Sequence, residues 1–201
     1  MHDLTPAAKA VAALVDGVSD EALTGRTPCA KYSVGDLLDH LMGLTVAFTV
    51  AATKTTGTSD GRQALAAESR PGEASVDHLD PDWRDQLPRR LSALAEAWTS
   101  PSAWDGEAEA GGVTLPAEVM GRVALNELVL HGWDLARATG QRYDLDDETA
   151  AASLAFTAQS AEPGEEASRE GIFGPVVDVP DDAPALHRAL GFSGRDPAWT
   201  P

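Results

Sequence analysis

The stretch VMGRVALNELVLHGWDLARATG, residues 119–140, contains no proline and is long enough for about six helical turns. Its apolar residues recur at helical spacing, which predicts one long amphipathic helix that ends at Gly140. Glu127 and His131 are four residues apart, so they lie on the same helix face. That face also carries apolar residues, namely Met120, Val123, Ala124 and Leu135. We therefore expect Glu127 and His131 to point into the core of a helical fold.

Two polar side chains in a core need partners, because an unpaired buried charge is very costly. A metal ion is one candidate partner for Glu127 and His131. A hydrogen bond between the two side chains is the other. A glutamate and a histidine four residues apart occur by chance in many helices, so this pair alone does not decide between the two.

The composition of the chain limits its classes of function. Its 201 residues, 43% of them apolar, fit one domain over residues 1–201. The formal net charge of −17 repels nucleic acid phosphates and anionic membranes, so we expect neither as a partner. Cys29 is the only cysteine, which excludes an intramolecular disulfide and a cysteine-rich metal site.

The N-terminal residues predict a soluble, cytoplasmic protein. The sequence MHDLTPAAKAVAAL lacks the basic segment and the long apolar segment of a signal peptide. The longest apolar runs are too short to span a membrane. We therefore expect small molecules as partners, and a homodimer is among the oligomeric states that the sequence leaves open.

A second helix is predicted over residues 34–53, because Ser33 and Asp36 have the spacing of a capping box. Its apolar stripe consists of Leu37, Leu41, Leu44, Ala47, Phe48 and Ala51. His40 lies on this stripe. A lone histidine on an apolar face is usually a hydrogen-bonded core residue, and a role as a metal ligand is the alternative.

Three more helices follow from the same periodicity. The first is predicted over residues 5–18. Another lies between Trp83 and Trp98 and contains Pro88, which either kinks the helix or marks its true start. A last long helix is predicted over residues 147–161, and its core-facing residues are expected to be Leu154, Ala155, Ala158 and Ala161.

The segments between the helices complete the predicted fold. Gly111 and Gly112 separate two short alternating runs, which predicts a small hairpin within residues 103–115. We expect the tail, residues 162–201, to wrap the helices and to include a short helix near residues 183–190. The predicted fold is an all-α four-helix bundle, an architecture that builds metal sites from inward-facing side chains.

Residues 54–81 are polar and connect two of the helices, so we interpret them as a long crossover. A long segment of this kind inside a compact domain often forms a lid or a pocket wall. Its residues of chemical interest are Arg62, Arg70 and His78, and exposed loop positions are the alternative interpretation for each.

His40, Glu127 and His131 lie on two core-facing stripes, and two facing helices can bring them together. Two histidines and one carboxylate suit a divalent transition metal such as zinc or nickel. Three protein ligands leave one coordination position open for water or substrate, which is typical of a catalytic metal site.

Three segments of the chain resemble a known family. They are TPCAKYSVGDLLDHLMG at 27–43, LNELVLHGWDLARATGQ at 125–141 and FGPVVDVPDDAPAL at 173–186. These segments are similar to actinobacterial metal-binding proteins related to the N-terminal domain of mycothiol-dependent maleylpyruvate isomerase, in the DinB/YfiT-like superfamily. The resemblance spans nearly the whole chain, and its middle motif, with H-x-W-D-L-A after the glutamate, is fairly specific.

The resemblance implies a DinB-like four-helix bundle with a metal site of His40, Glu127 and His131. The isomerase has an additional C-terminal domain and this chain ends without one, so we do not expect isomerase activity. Because several relatives transfer a low-molecular-weight thiol onto electrophiles, the resemblance implies a metal-dependent S-transferase with mycothiol as cosubstrate and a small electrophile as its second partner. A non-catalytic metal-binding or stress-associated bundle is the alternative.

The remaining candidate residues have structural interpretations beside the functional ones. Asp134 has a functional interpretation, in which its carboxylate orients a metal ligand. The structural interpretation is a pair with Arg137 on the helix surface or a hydrogen bond to a neighbouring backbone group. Trp133 and Cys29 are predicted to be packing residues, and no histidine adjoins Cys29 in sequence to activate it as a nucleophile. Two further histidines are predicted to lie at the surface, namely His2 and His187.

Overall fold

A computed structural model describes residues 1–68, 74–162, 164, 169 and 172–201 of the chain. Within these residues it contains seven α-helices and one two-stranded antiparallel hairpin. The helices are α1 (Thr5–Leu14), α2 (Val34–Ala52), α3 (Ser59–Glu68), α4 (Trp83–Ala97), α5 (Ala117–Ala138), α6 (Asp147–Gln159) and α7 (Ala185–Phe192). The strands are β1 (Glu107–Ala110) and β2 (Val113–Pro116). The predicted all-α fold with a small hairpin is confirmed.

Four of the helices form the bundle. The helix α1 packs against α4 and α5, and α2 packs against the same two helices. Their apolar stripes meet in one hydrophobic core, whose fully buried side chains include Leu37, Leu41, Leu91, Leu94 and Leu128. The helix α6 packs on the outside of α5, and α7 packs on α6. The metal-ligand candidates therefore come from two neighbouring helices, α2 and α5.

Local sequence signals set the ends of these two helices. Ser33 Oγ accepts a hydrogen bond from Asp36 N at 3.2 Å, and Asp36 Oδ2 accepts one from Ser33 N at 2.9 Å, so the predicted capping box forms. The C-terminal end of α5 is a Schellman motif, in which Gln141 N donates to Ala136 O at 2.8 Å. Gly140 has the positive φ of 67° that this motif requires, as predicted.

The ends of the predicted helices lie within two residues of the observed ones, except at the C-terminal end of α1. The helix α1 ends at Leu14 rather than at residue 18, because the chain tightens there into a 3-10 turn over Val15–Gly17. Glycine is a poor residue for the helix interior, which fits an early end. The helix α4 begins at Trp83, so Pro88 lies inside it and does not mark its start.

The predicted core-facing side of α6 is wrong. Its buried residues are Thr149, Ala150, Ser153 and Thr157, whereas Ala155 is exposed. Ser153 Oγ donates to Asn126 Oδ1 of α5 at 2.8 Å, and Thr157 Oγ1 donates to Ser153 O at 3.0 Å. These hydroxyl groups are buried at low cost because each has a hydrogen-bond partner. A pattern built on apolar residues alone could not find this face.

The hairpin and the tail also agree with the predicted architecture. Gly111 and Gly112 form the two-residue hairpin loop with φ values of 58° and 78°, a conformation that glycine adopts readily. The tail folds back over α5, where Arg137 donates a hydrogen bond to Trp199 O. The bundle is therefore wrapped on the α5 side.

The helix α2 is 19 residues long, and an 18-residue segment of it has a mean hydropathy of 1.3. By length and composition alone, such a helix could cross a membrane. We expected no apolar run of that length. In the structure 61% of this segment is buried inside the protein, as is usual for the core helix of a bundle.

Candidate metal centre

The structure brings His40, Glu127 and His131 together at one point between α2 and α5. Glu127 Oε2 lies 3.3 Å from His40 Nε2 and 3.1 Å from His131 Nε2. One ligand atom from each residue lies within 4.8 Å of the other two. The helix α5 positions two of the three side chains on consecutive turns, and α2 supplies the third across the bundle.

The donor set and its spacing fit a small divalent ion. Two ligands at the usual zinc distances, placed at a tetrahedral angle, are separated by about 3.3 Å. The two nitrogen–oxygen distances at Glu127 are close to this value. Imidazole nitrogen and carboxylate oxygen are both common ligands of zinc and nickel. The three residues could therefore hold one such ion.

The same three groups form an electrostatically coupled cluster. Burial alone would raise the pKa of Glu127, but the positive charge of His131 and hydrogen bonds from both imidazoles hold that pKa well below its usual range. Burial would lower the pKa of His131, yet the Glu127 carboxylate and a hydrogen bond to Asp134 outweigh it and raise the pKa to about 9. Each group therefore favours the charged form of its neighbour.

Asp134 holds the ring of His131 from behind. His131 Nδ1 donates to Asp134 Oδ2 at 3.0 Å, which leaves Nε2 facing Glu127. Arg195 donates from Nε to Asp134 Oδ1 and from Nη2 to Oδ2, each at 2.8 Å. The Asp134 side chain is fully buried and that of Arg195 is 10% exposed. A carboxylate behind a histidine ligand fixes both the tautomer and the orientation of the ring.

Arg195 also controls the charge of Asp134. Burial would raise the pKa of Asp134, but the guanidinium of Arg195 and the hydrogen bond from His131 lower it. Arg195 is itself held by a hydrogen bond from Nη1 to Ser193 Oγ at 3.2 Å. The tail thus completes a continuous chain of side chains that leads from Ser193 to the candidate ligands.

Tyr32, which precedes α2, covers the two imidazoles. Its ring centroid lies 5.1 Å from that of His40 and 6.3 Å from that of His131. The two imidazole rings are 4.9 Å apart and nearly perpendicular to each other. The aromatic ring limits access to the cluster from that side.

A large cleft adjoins His40 and Glu127 of the cluster. It has a volume of about 1060 Å³, and His40 and Glu127 form part of its wall. Side chains from α2, α5, α6 and the hairpin line it, and most of them are apolar, for example Leu44, Phe48, Leu115, Val123 and Phe156. A small molecule in this cleft could therefore reach the cluster.

The crossover, residues 54–81, was predicted to form a lid or a pocket wall. Two of its described residues, Ala74 and His78, line the cleft. Asp39 Oδ2 accepts a hydrogen bond from Ser75 N at 3.1 Å, which ties the returning crossover to α2. His78 lines the cleft beyond this point. Arg62 donates to a backbone carbonyl within the crossover and does not line the cleft. Arg70 lies outside the described residues.

The other candidate residues take structural positions. Asp134 pairs with Arg195, so the predicted alternative of a surface pair with Arg137 is wrong. Trp133 is buried with Leu130 and Leu190 in a small apolar cluster, which is a packing role. Its partner Leu190 comes from α7.

Cys29 and the two histidines outside the site differ in their exposure to solvent. Cys29 is half-buried, and burial, followed by the nearby charge of Asp134, raises the pKa of its thiol. His187 is exposed as predicted, whereas His2 is half-buried with its ring 6.1 Å from that of Trp104.

Arg195 was not predicted as a residue of the site. No periodicity marks this residue, because it lies in a polar tail 61 positions from its partner. One signal could have pointed to it, since a buried aspartate needs a cation as partner. That signal requires knowing that Asp134 is buried, which the structure shows.

Comparisons with known proteins agree with the helical fold. Residues 4–136 match the family described as the mycothiol maleylpyruvate isomerase N-terminal domain. Uncharacterized proteins from two strains of Mycobacterium tuberculosis are 28% identical to the chain over 191 residues, which is 92% of this chain and 92% of each relative. A crystal structure of the mycothiol-dependent maleylpyruvate isomerase is similar in fold, with a TM-score of 0.53 and 18% identity over 81% of this chain and 72% of that one.

Proposed function

Since the chain belongs to the family of mycothiol maleylpyruvate isomerase N-terminal domains, we propose that it is a metal-dependent S-transferase that joins mycothiol to small electrophiles. One observation carries the proposal. His40, Glu127 and His131 present three ligand atoms within 4.8 Å of one another, and two of these residues line a cleft of about 1060 Å³. The ion that suits this donor set best is zinc or nickel.

Three side chains would hold the ion, and two more support them. Glu127 offsets part of its positive charge, and the two imidazoles bind as neutral ligands. Asp134 and Arg195 keep the ring of His131 in place, so its Nε2 is available as a ligand. A divalent ion held by these residues would lower the pKa of a coordinated thiol and so favour the thiolate, which is the reactive form.

The reaction needs no nucleophile from the protein. The sulfur of the thiol forms a bond to a carbon of the electrophile, the bond from that carbon to its leaving group breaks, and the thiol proton and the leaving group pass to solvent. The cleft holds the electrophile next to the cluster, which favours reaction by proximity. Cys29, whose thiol pKa is raised by burial, has no role in this scheme.

The test is a conjugation assay with metal-loaded protein, mycothiol and chlorobimane, followed by fluorescence of the bimane adduct. We expect turnover that stops on removal of the metal and is lost in Glu127→Ala. The matched control is Glu118→Ala, which removes an exposed glutamate of the same helix and should retain turnover.

A failure of this assay would favour the alternative function. If several thiols and several electrophiles give no conjugation while the metal is demonstrably bound, the S-transferase proposal is wrong. The chain would then be a non-catalytic metal-binding or stress-associated bundle.

A further inference from the structure

The cleft beside His40 and Glu127 has a chemical character that bears on the choice of electrophile. We propose that it accepts uncharged, mainly apolar electrophiles and discriminates against electrophiles that carry a carboxylate. This inference names the substrate class of the S-transferase site and rests on the function proposed above.

The walls of the cleft are apolar on several sides. The helix α2 contributes Leu44, Ala47 and Phe48, and the side that faces them contributes Met120, Val123 and Phe156. An apolar molecule that binds to such a surface is stabilised in proportion to the apolar area that it removes from water. The walls therefore favour an apolar ligand over a highly polar one.

The rim of the cleft also carries apolar side chains. Val113 of the hairpin is 54% exposed and Ile172 of the tail is 68% exposed, and both line the cleft. They are two of the four large apolar residues that are exposed among the described residues. Exposed apolar side chains that gather at the mouth of a cleft indicate a ligand site.

The charges in the wall disfavour an anion. Among the described residues of the wall, the carboxylates are Asp39, Glu127 and Glu162, and no lysine or arginine lines the cleft itself. Arg169 lies behind the wall, where it donates to Ser160 and to the backbone carbonyl of Phe192, so its charge offsets only part of that of the carboxylates. With a divalent ion and a bound thiolate present, the ion, the thiolate and Glu127 sum to zero charge. Asp39 and Glu162 then remain, and a carboxylate that enters the cleft meets charge of its own sign.

The size of the cleft is consistent with two small molecules. Its volume of about 1060 Å³ is slightly above the range of about 300–1,000 Å³ that is usual for ligand pockets. A thiol at His40 and Glu127 therefore leaves room for an electrophile against the apolar walls.

The first experiment compares two electrophiles that differ in one charge. Chlorodinitrobenzene is neutral, and chlorodinitrobenzoate carries a carboxylate. We measure kcat/KM for each with mycothiol and metal-loaded protein, and divide each value by the uncatalysed rate constant. The expected preference for the neutral compound is about tenfold or more, and it should shrink as the salt concentration rises.

A charge-reversal variant tests the cause of the preference. Glu162→Arg places a cation in the wall of the cleft and should narrow the preference severalfold. The control Glu96→Arg makes the same charge change at an exposed position of α4, which does not line the cleft, and should leave the ratio unchanged.

A binding measurement separates this inference from the function on which it rests. Unreactive dinitrobenzene and dinitrobenzoate are tested for displacement of Nile red from the metal-loaded protein. Preferential displacement by the neutral compound supports the inference even if no thiol transfer occurs, in which case the proposed function alone fails.

Two outcomes would overturn the inference. One is equal or tighter binding of the carboxylate compound, even with active thiol transfer. The other is failure of Nile red and of both analogues to bind, together with a molar mass from light scattering that corresponds to two copies of the chain. A second copy of the chain would then cover the cleft.

Discussion

Arg195 and Asp134 are 61 positions apart in the sequence and meet through two parallel hydrogen bonds of 2.8 Å. The pair is buried, and it lies directly behind the imidazole of His131. A bidentate pair of this kind has a fixed geometry, because the guanidinium and carboxylate planes must align. The C-terminal tail therefore takes part in shaping the candidate metal centre.

Arg195→Met should weaken both the fold and the metal site. The loss of the guanidinium leaves Asp134 buried without its cation, so we expect the free energy of unfolding to fall by about 3–5 kcal/mol. Metal affinity should fall about 10- to 100-fold, because His131 is no longer held in place. Urea unfolding of the metal-free protein and chelator competition measure the two effects.

Two further variants separate these effects. Asp134→Leu combined with Arg195→Met removes the unpaired charge and should recover most of the stability but not the metal affinity. Arg142→Met breaks an ion pair with Asp144 whose side chains are 89% and 78% exposed, and should cost less than about 1 kcal/mol. An Arg195→Met protein with unchanged metal affinity would contradict the positioning role.

Features of the site that depend on residues close together in the sequence could be predicted, and features that depend on distant residues could not. The capping box at Ser33 and the helix end at Gly140 depend on residues within a few positions, so the sequence predicts both. His40 was identified because its neighbours form a clear apolar stripe. Arg195 depends on how the tail folds back over α5, and no local pattern encodes that contact.

The wrongly predicted face of α6 has a different cause. Its buried side uses hydroxyl groups, and Ser153 is accepted there because Asn126 of a different helix supplies the hydrogen-bond partner. A hydrophobic pattern treats such residues as exposed. The rest of the cleft wall, beyond the predicted crossover, was missed for another reason, since it combines side chains from several helices and the hairpin.

Gly43→Ala should stabilise the protein. Gly43 lies inside α2, and a Cβ added there meets no atom within 4 Å. Alanine is favoured over glycine in a helix interior by about 0.5–1 kcal/mol. Thermal and urea unfolding measure the gain. Gly35→Ala in the same helix is the control, since its Cβ would lie 2.4 Å from Val76, and it should destabilise.

Gly43→Phe should fill the cleft without unfolding the helix. The same open space that accepts a Cβ leads into the cleft that Gly43 lines. We expect this variant to unfold at a similar urea concentration to the wild type and to lose most of its binding of Nile red. Undiminished dye binding by a folded Gly43→Phe protein would place the ligand elsewhere.

Cys29 should react slowly and should be dispensable for turnover. Burial raises the pKa of its thiol, so at mildly alkaline pH less thiolate is present than in a free cysteine. Iodoacetamide should therefore alkylate Cys29 more slowly than it alkylates a small free thiol, as mass spectrometry can follow. Cys29→Ser should keep most of the thiol transfer, and a folded variant without turnover would make Cys29 a catalytic residue.

Asp36 should make stability depend on acid pH. Burial would raise its pKa, but hydrogen bonds from Ser33 and Val76 outweigh this and lower the pKa below 3.8. Its contribution is therefore complete above pH 3.8 and is lost as the pH falls through the lower pKa of the folded state. Asp36→Ala should cost about 1–2 kcal/mol at neutral pH, and the deficit should shrink in acid.

Urea unfolding at a series of pH values measures this deficit. Asp16→Ala serves as control, because it removes an aspartate whose side chain is exposed. A deficit in Asp36→Ala that stays constant as the pH falls would mean that the carboxylate is not the stabilising group.

The central claim is that His40, Glu127 and His131 hold one divalent ion, and elemental analysis of protein purified without a histidine tag tests it most directly. We expect about one zinc or nickel ion per chain in the wild type, as the three-ligand cluster implies. The same amount should remain in His187→Ala, which removes an exposed histidine, while His40→Ala and His131→Ala should lose most of the metal. Stoichiometric metal in both of these variants would contradict the account.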